Sequence, residues 1–226
     1  MFVGRKTANA LSSVGIKTIG QLAFADVQVL TCMFGKNGKL LADYASGNDN
    51  SPVEPKREDA KSISNGFTFR HDILDYEESK IGIDYLSEEI GMRLRSEGLV
   101  ASTVAVTIKD DSLHSIQRQV PQNPPTDSTR EIANTAFAIL KSVWSEGKPI
   151  RMITVTVSNL SLRGSSVEQI TIFDGAEENE ISERSRTRES AVDSIRKRFG
   201  KDSIVNGAII DTDLGIYNKK KSGKRK

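Results

Sequence analysis

Apolar positions change their spacing near residue 61, and the change divides the chain. Ahead of that point they recur three and four residues apart in short groups, each closed by a glycine, which is the rhythm of small amphipathic helices. Residues 6–14 form the first group and Gly15 stops it. Thr18 with Gln21 has the spacing of a capping box and opens a second. Asp26 is placed to cap a third over 27–33, closed by Gly35. A fourth spans 38–46, its Leu40, Leu41 and Tyr44 making an apolar stripe before Gly47. NDNSPVEPKREDA, 48–60, has two prolines, several charges and little to bury, so it reads as a linker.

From residue 61 a period of two takes over. KSISNGFTF (61–69), LVASTVAVTIK (99–109), LHSIQRQV (113–120) and IRMITVTVSNL (150–160) alternate as strands, the second and third joined through an Asp-Asp-Ser turn. Between them, 77–96 carries Ile81, Tyr85, Leu86, Ile90 and Leu94 at helical spacing, with Gly98 beyond its end. Ser128 and Glu131 form another capping-box spacing, opening a helix to about Ser145 that Gly147 and Pro149 close. The order is βαββαβ, a split βαβ unit. The expected fold is therefore α+β: a small all-α domain over 1–50, a linker over 51–60, and a four-stranded sheet with two helices on one face over 61–165. A tail follows over 166–226, in which RTRESAVDSIRKRFG reads as a helix ending at Gly200 and KKKSGKRK as a basic terminus.

Alternation also sorts the strand side chains into two faces. Val104, Val106 and Ile108 share one parity, as do Ile153, Val155 and Val157, and two amphipathic helices need that surface. The other parity holds Ser62, Ser64, Thr103, Thr107, Ser115, Gln117, Gln119, Thr154, Thr156 and Ser158. One face should stay open. Its side chains are short donors with few long charges among them, able to approach a phosphate backbone closely and bond it without reading bases. A solvated sheet face also favours threonine and serine, because β-branching suits strands.

Composition narrows the chemistry. Of 226 residues, 37% are apolar and 27% charged, with a net charge of +2, so any nucleic-acid binding must come from local arrangement rather than an overall basic field. Cys32 is the single cysteine and His71 and His114 the only histidines, which excludes an internal disulfide and leaves too few ligands for a zinc cage. MFVGRKT lacks the apolar core of a signal peptide and no membrane-length apolar run occurs, so the expectation is a cytoplasmic monomer. Asp110-Asp111 is expected as a turn rather than a metal-binding carboxylate pair, and Asp211 and Asp213 sit in an irregular tail. GKNGK at 35–39 lacks phosphate-loop spacing and reads as a helix boundary. Trp144 is expected in the core.

The start of the chain, VGRKTANALSSVGIKTIGQLA, sets Gly4 and Gly15 at either end of one short helix. Amides near Gly4, with Val3, Arg5 and Lys6 beside them, would present unpaired N–H groups and a helix dipole to an anion. Together with FGKNGKLLADYASGNDNSPVEP, KSISNGFTF, GLVASTVAVTIKDDSLHSIQRQV, NPPTDSTREI and PIRMITVTVSNL, in this order, it resembles the C-terminal half of Y-family translesion DNA polymerases, the DinB/UmuC-like group.

The resemblance implies that 1–50 is a thumb with helix-hairpin-helix elements and that 61–165 is a little finger laid along the DNA groove. The implied activity is that of the primer-template-holding part of an error-prone polymerase in DNA repair and damage tolerance. It also implies that the magnesium-binding carboxylates lie in a palm that would precede Met1, so that this chain holds no cofactor and is inert alone. The DNA-binding set it implies is Val3, Gly4, Arg5, Lys6, Ser62, Ser64, Thr103, Lys109, Gln117, Arg118 and Gln119. In the family the hairpin reads Gly-x-Gly after an aromatic residue; here Phe2-Val3-Gly4 supplies only the second glycine. The family's Thr-Arg-Ser falls on Gln117-Arg118-Gln119. Alternation puts Arg118 with the apolar parity, so either its length carries it round the edge or a bulge turns it. QITIF, with Gln169, Ile170, Ile172 and Phe173, resembles the bacterial sliding-clamp-binding motif; the other reading is a strand added to the sheet edge. A non-catalytic clamp-binding adaptor is the alternative function.

Overall fold

The structure, a computed structural model, describes residues 3–52, 60–164, 176–210 and 212–216, with backbone alone for 176–183. The chain divides into two compact units, Met1–Glu58 and Asp59–Lys226.

The first unit contains α1 (Arg5–Ser13), α2 (Ile19–Ala23), α3 (Val27–Phe34) and α4 (Lys36–Ala45). Its ends follow from the side chains that close them. Gly15, at φ 84°, takes the left-handed turn that a Cβ would penalise, so its N–H reaches the Ser12 carbonyl while the Ile16 N–H reaches Leu11. The Thr18–Gln21 capping box forms in both directions, and the Asp26 carboxylate accepts from the Gln28 N–H at 2.7 Å. Leu11, Leu22, Leu30, Leu41 and Ala42 make the core. The fourth helix begins at Lys36, ahead of the expected 38, directly after the turn at Gly35. Gly38 thus lies inside it, pressed against the Leu30 carbonyl, where a Cβ would sit 2.0 Å away.

The second unit runs β1 (Ser62–Ile73), α5 (Tyr76–Glu97), β2 (Leu99–Lys109), β3 (Ser115–Thr126), α6 (Thr129–Val143), β4 (Ile150–Leu162), α7 (Ala176–Phe199), one 3-10 turn (Lys201–Ser203) and α8 (Gly207–Ile210). The sheet order is β1-β4-β2-β3 with every neighbouring pair antiparallel, so both βαβ crossovers skip over a strand placed between their ends. α5 and α6 cover one face. Ile63, Phe69, Val104, Val106, Ile153, Val155 and Val157 meet Ile83, Leu86, Ile90, Ile132, Ala136 and Leu140 there, in the apolar parity expected from alternation. Trp144 joins this core, its indole N–H donating to the Lys148 carbonyl at 3.0 Å.

Three expectations are corrected. β3 continues beyond 120 to Thr126, taking in Pro121, Pro124 and Pro125; an edge strand tolerates prolines because only one side needs ladder hydrogen bonds. The pairing Thr103↔Pro121 followed by Ala101↔Thr126 shows where 122–125 are looped out of register. Ser128 forms no capping box, since its side chain makes no cap bond; the Thr129 N–H is instead taken by the carboxylate of Glu189, far along the chain. Finally, the tail helix begins at Ala176 rather than 186.

Candidate nucleic-acid interface

The uncovered sheet face is built in rows, because antiparallel register sets side chains of like parity side by side. Ser62, Ser158, Thr103 and Pro121 align across the four strands. Next come Ser64, Thr156, Ala105 and Gln119, then Gly66, Thr154, Thr107 and Gln117, and last Thr68, Met152, Lys109 and Ser115. No carboxylate stands in these rows and Lys109 is their one charge, so nothing there repels an anionic strand. The outer columns are exposed and the inner ones partly or fully buried, which gives a shallow surface.

Gly66 makes a notch in it. A Cβ at Gly66 would lie 2.4 Å from Thr154 Oγ1 and 3.0 Å from the Met152 methyl group, so these two side chains occupy the place of the missing one. The lone glycine inside an alternating strand was the signal for such a close approach.

Of the residues in the expected set, Ser62, Ser64, Lys109, Gln117 and Gln119 lie on this face. Thr103 shares its parity but is buried, and its hydroxyl accepts from the Asn159 amide at 2.9 Å. Arg118 does not share the face. It stands opposite Val106, in the row of Asn65 and Val155, and the pairing is regular from Ser115 to Pro121, so no bulge turns it. It is exposed at the edge strand.

In the first unit Gly4 precedes α1 at φ −85° and ψ 175°, extended backbone open to any residue, with nothing of this chain within 4 Å of a Cβ there. Among the described residues, then, neither backbone angle nor crowding calls for a glycine here. It contributes no cap, which leaves the first-turn amides without a side-chain acceptor, and Arg5 and Lys6 are exposed beside them. Val3 differs, packing against the unit's core.

Gln169, Ile170, Ile172, Phe173 and Asp211 lie outside the described residues. Asp110 is the turn residue expected, accepting from the His114 N–H at 2.8 Å. His71 binds the Glu78 carboxylate, and Asp213 pairs with Arg70. Among the described residues no group of His, Cys, Asp and Glu is placed to hold a metal ion. No helix among them is long and apolar enough to cross a membrane.

What the sequence left unread lies on the other side of the helix layer, where α7 is held to α5 and α6 by charge. Arg95 bonds Asp193 through Nε at 2.6 Å and Nη2 at 3.1 Å and reaches Glu189 through Nη1, while Arg196 meets Glu88 at 2.7 Å. The Arg95 and Glu189 side chains are only 11% and 10% exposed. Burial opposes the charge on Arg95, but the Asp193 hydrogen bond and the neighbouring carboxylates outweigh it and raise its pKa. Burial raises the Glu189 pKa, and Arg95 with the Thr129 N–H only partly offsets it.

The fold and its uncovered face define a class. The chain belongs to the impB/mucB/samB family: residues 60–172, which take in the whole sheet and the two helices on it, match that family's C-terminal domain. That domain is the one Y-family polymerases carry at their C-terminal end, in keeping with the resemblance of these segments to that group. Among individual proteins the chain is similar to the DNA polymerase IV of Clostridium kluyveri, 36% identical over 214 residues, 92% of this chain and 52% of the relative. The DNA polymerase IV of Acetivibrio thermocellus is 33% identical over 218 residues, 96% and 53% of the two chains, and that of Pelotomaculum thermopropionicum 35% over 219 residues, 96% and 52%. The chain spans about half the length of the curated relatives it matches.

Proposed function

We propose that this chain holds primer-template DNA for a translesion polymerase, gripping the phosphate backbone without regard to sequence. The observation that supports this most is the acid-free set of rows on the bare sheet face. Hydroxyls and amides of Ser62, Ser64, Thr107, Gln117, Gln119 and Thr154 are short enough to let a backbone lie against the sheet, and Lys109 adds a charge. The uncapped first turn of α1, with Arg5 and Lys6, supplies a second grip of the helix-hairpin-helix kind. The parent activity is templated DNA synthesis in damage tolerance, in a cytoplasmic setting, with the chemistry supplied by domains other than these.

Fluorescence anisotropy with labelled primer-template duplexes of several sequences, at two salt concentrations, tests the reading. Binding is expected to weaken with salt and to vary little with sequence, because counterion release dominates such contacts. Strong sequence preference without salt dependence would overturn it.

The QITIF stretch supports a second partner, the sliding clamp. Ile172 and Phe173 would fill an apolar pocket while Gln169 fixes the register. Pull-down with the clamp should be lost on Phe173→Ala; retention would make the stretch a structural strand.

A further inference from the structure

Between α5 and α7, on the side of the second unit away from the bare sheet face, lies an open cleft of about 530 Å3. Arg93, Ser96, Ser190, Ser194, Arg186 and Lys197 line it. The α7 residues follow helical spacing, 186, 190, 194 and 197, so they form one stripe roughly 16 Å long at 1.5 Å per residue.

The charges of this cleft do not balance. Arg95 is taken up by Asp193 and Glu189, Arg196 by Glu88, Lys201 by Glu89 and Arg163 by Asp127. Arg93, Arg186 and Lys197 are exposed and have no acidic partner among the described residues. Three free cations thus flank a floor of serine hydroxyls. The ion pairs of Arg95 and Arg196 hold the two helices beside each other by long side chains, which leaves room between them for a ligand.

We infer that this cleft is a second phosphodiester site, which binds a single strand of nucleic acid while the sheet face holds duplex. Arginine forks are donors suited to phosphate oxygens; the Ser96 and Ser194 hydroxyls donate to the Arg93 and Ser190 carbonyls at 2.8 and 2.9 Å and so give the floor its small polar surface rather than further donors. Met92 is the one apolar side chain in the lining, the rest of its carbon surface belonging to arginine and lysine stems, which favours a nucleic-acid strand over an acidic peptide anchored by a hydrophobic residue. The site goes beyond the proposed sheet interface and does not depend on it.

The test uses the full chain carrying Thr107→Glu and Thr154→Glu to silence the sheet, titrated with a labelled single-stranded oligonucleotide over a range of salt. Replacing Arg93, Arg186 and Lys197 by alanine should reduce the slope of log affinity against log salt by about 2, three contacts at roughly 0.7 each. The corresponding Arg→Lys changes at 93 and 186 should preserve the slope, which separates lost charge from lost folding. A benzophenone on Ser194→Cys, in a Cys32→Ser background, should crosslink to the strand. An unchanged slope together with no crosslink overturns the inference, as does displacement of the strand by poly-glutamate at equal charge, which would assign the cleft to an acidic protein. Failure of the sheet reading looks different: duplex affinity indifferent to Thr107→Glu and Thr154→Glu, with the Ser194 crosslink intact.

Discussion

Glu189 of α7 accepts the backbone N–H of Thr129 at 3.0 Å, so the first turn of α6 is capped by a side chain from the far end of the domain. The same carboxylate meets Arg95 of α5 at 3.2 Å, and one residue thereby ties three helices together.

Arg95→Ala should be among the most damaging single changes in the second unit. It strands Glu189 and Asp193 without their cation and removes the donor to the Asp127 carbonyl, and breaking such a buried network by one partner costs about 3–5 kcal/mol. Urea unfolding should show that loss, and hydrogen exchange should show the Thr129 amide unprotected. Arg95→Lys should fall between, since a lysine cannot span Asp193 and Glu189 as a fork.

The raised pKa of Glu189 sets the sign of a pH effect. The folded chain keeps this proton at a pH where the unfolded chain has released it. Its stabilising contribution is therefore complete below the ordinary glutamate range and is lost as pH rises through the raised value. Glu189→Gln should gain stability relative to the unmodified chain as pH is raised from one value below the ordinary glutamate range to one well above it. Denaturation curves at the two pH values measure the difference, and a constant gap would contradict the assignment.

Gly66→Ala should destabilise the sheet by about 1 kcal/mol despite alanine's lower unfolded-state entropy, because the new methyl group collides with Thr154 Oγ1. Adding Thr154→Ala should recover most of the loss. A double-mutant cycle reads the coupling, and additive effects would mean that Thr154 simply rotates away.

Arg118 and Gln117 are adjacent in sequence and on opposite faces, which separates their roles. Placing negative charge in the open row, Gln117→Glu with Thr107→Glu, should weaken primer-template binding at least tenfold, whereas Arg118→Ala should change it no more than about twofold. Equal losses would show the arginine curling round the edge of β3.

Alternation carried the sheet and its bare face, since a period of two leaves no freedom once one parity is apolar. The caps at Thr18 and Asp26 were equally legible, because donor and acceptor lie within three residues. The Ser128 spacing misled for the opposite reason: a local match says nothing of a distant competitor, and Glu189 reaches Thr129 only through tertiary packing. α7 was legible only from 186 onward, its anchoring to α5 depending on charges from elements far apart in the chain. Thr103 carries the right parity yet is spent on Asn159, a contact invisible to periodicity.

The prolines of β3 bear on how copies of this protein behave when crowded side by side. Pro121, Pro124 and Pro125 contribute no amide hydrogens to the rim of the sheet, so a stray extended segment finds too few donors there to zip on. Over that stretch the rim presents a broken row of donors, which disfavours continuation of the sheet into a cross-β ribbon.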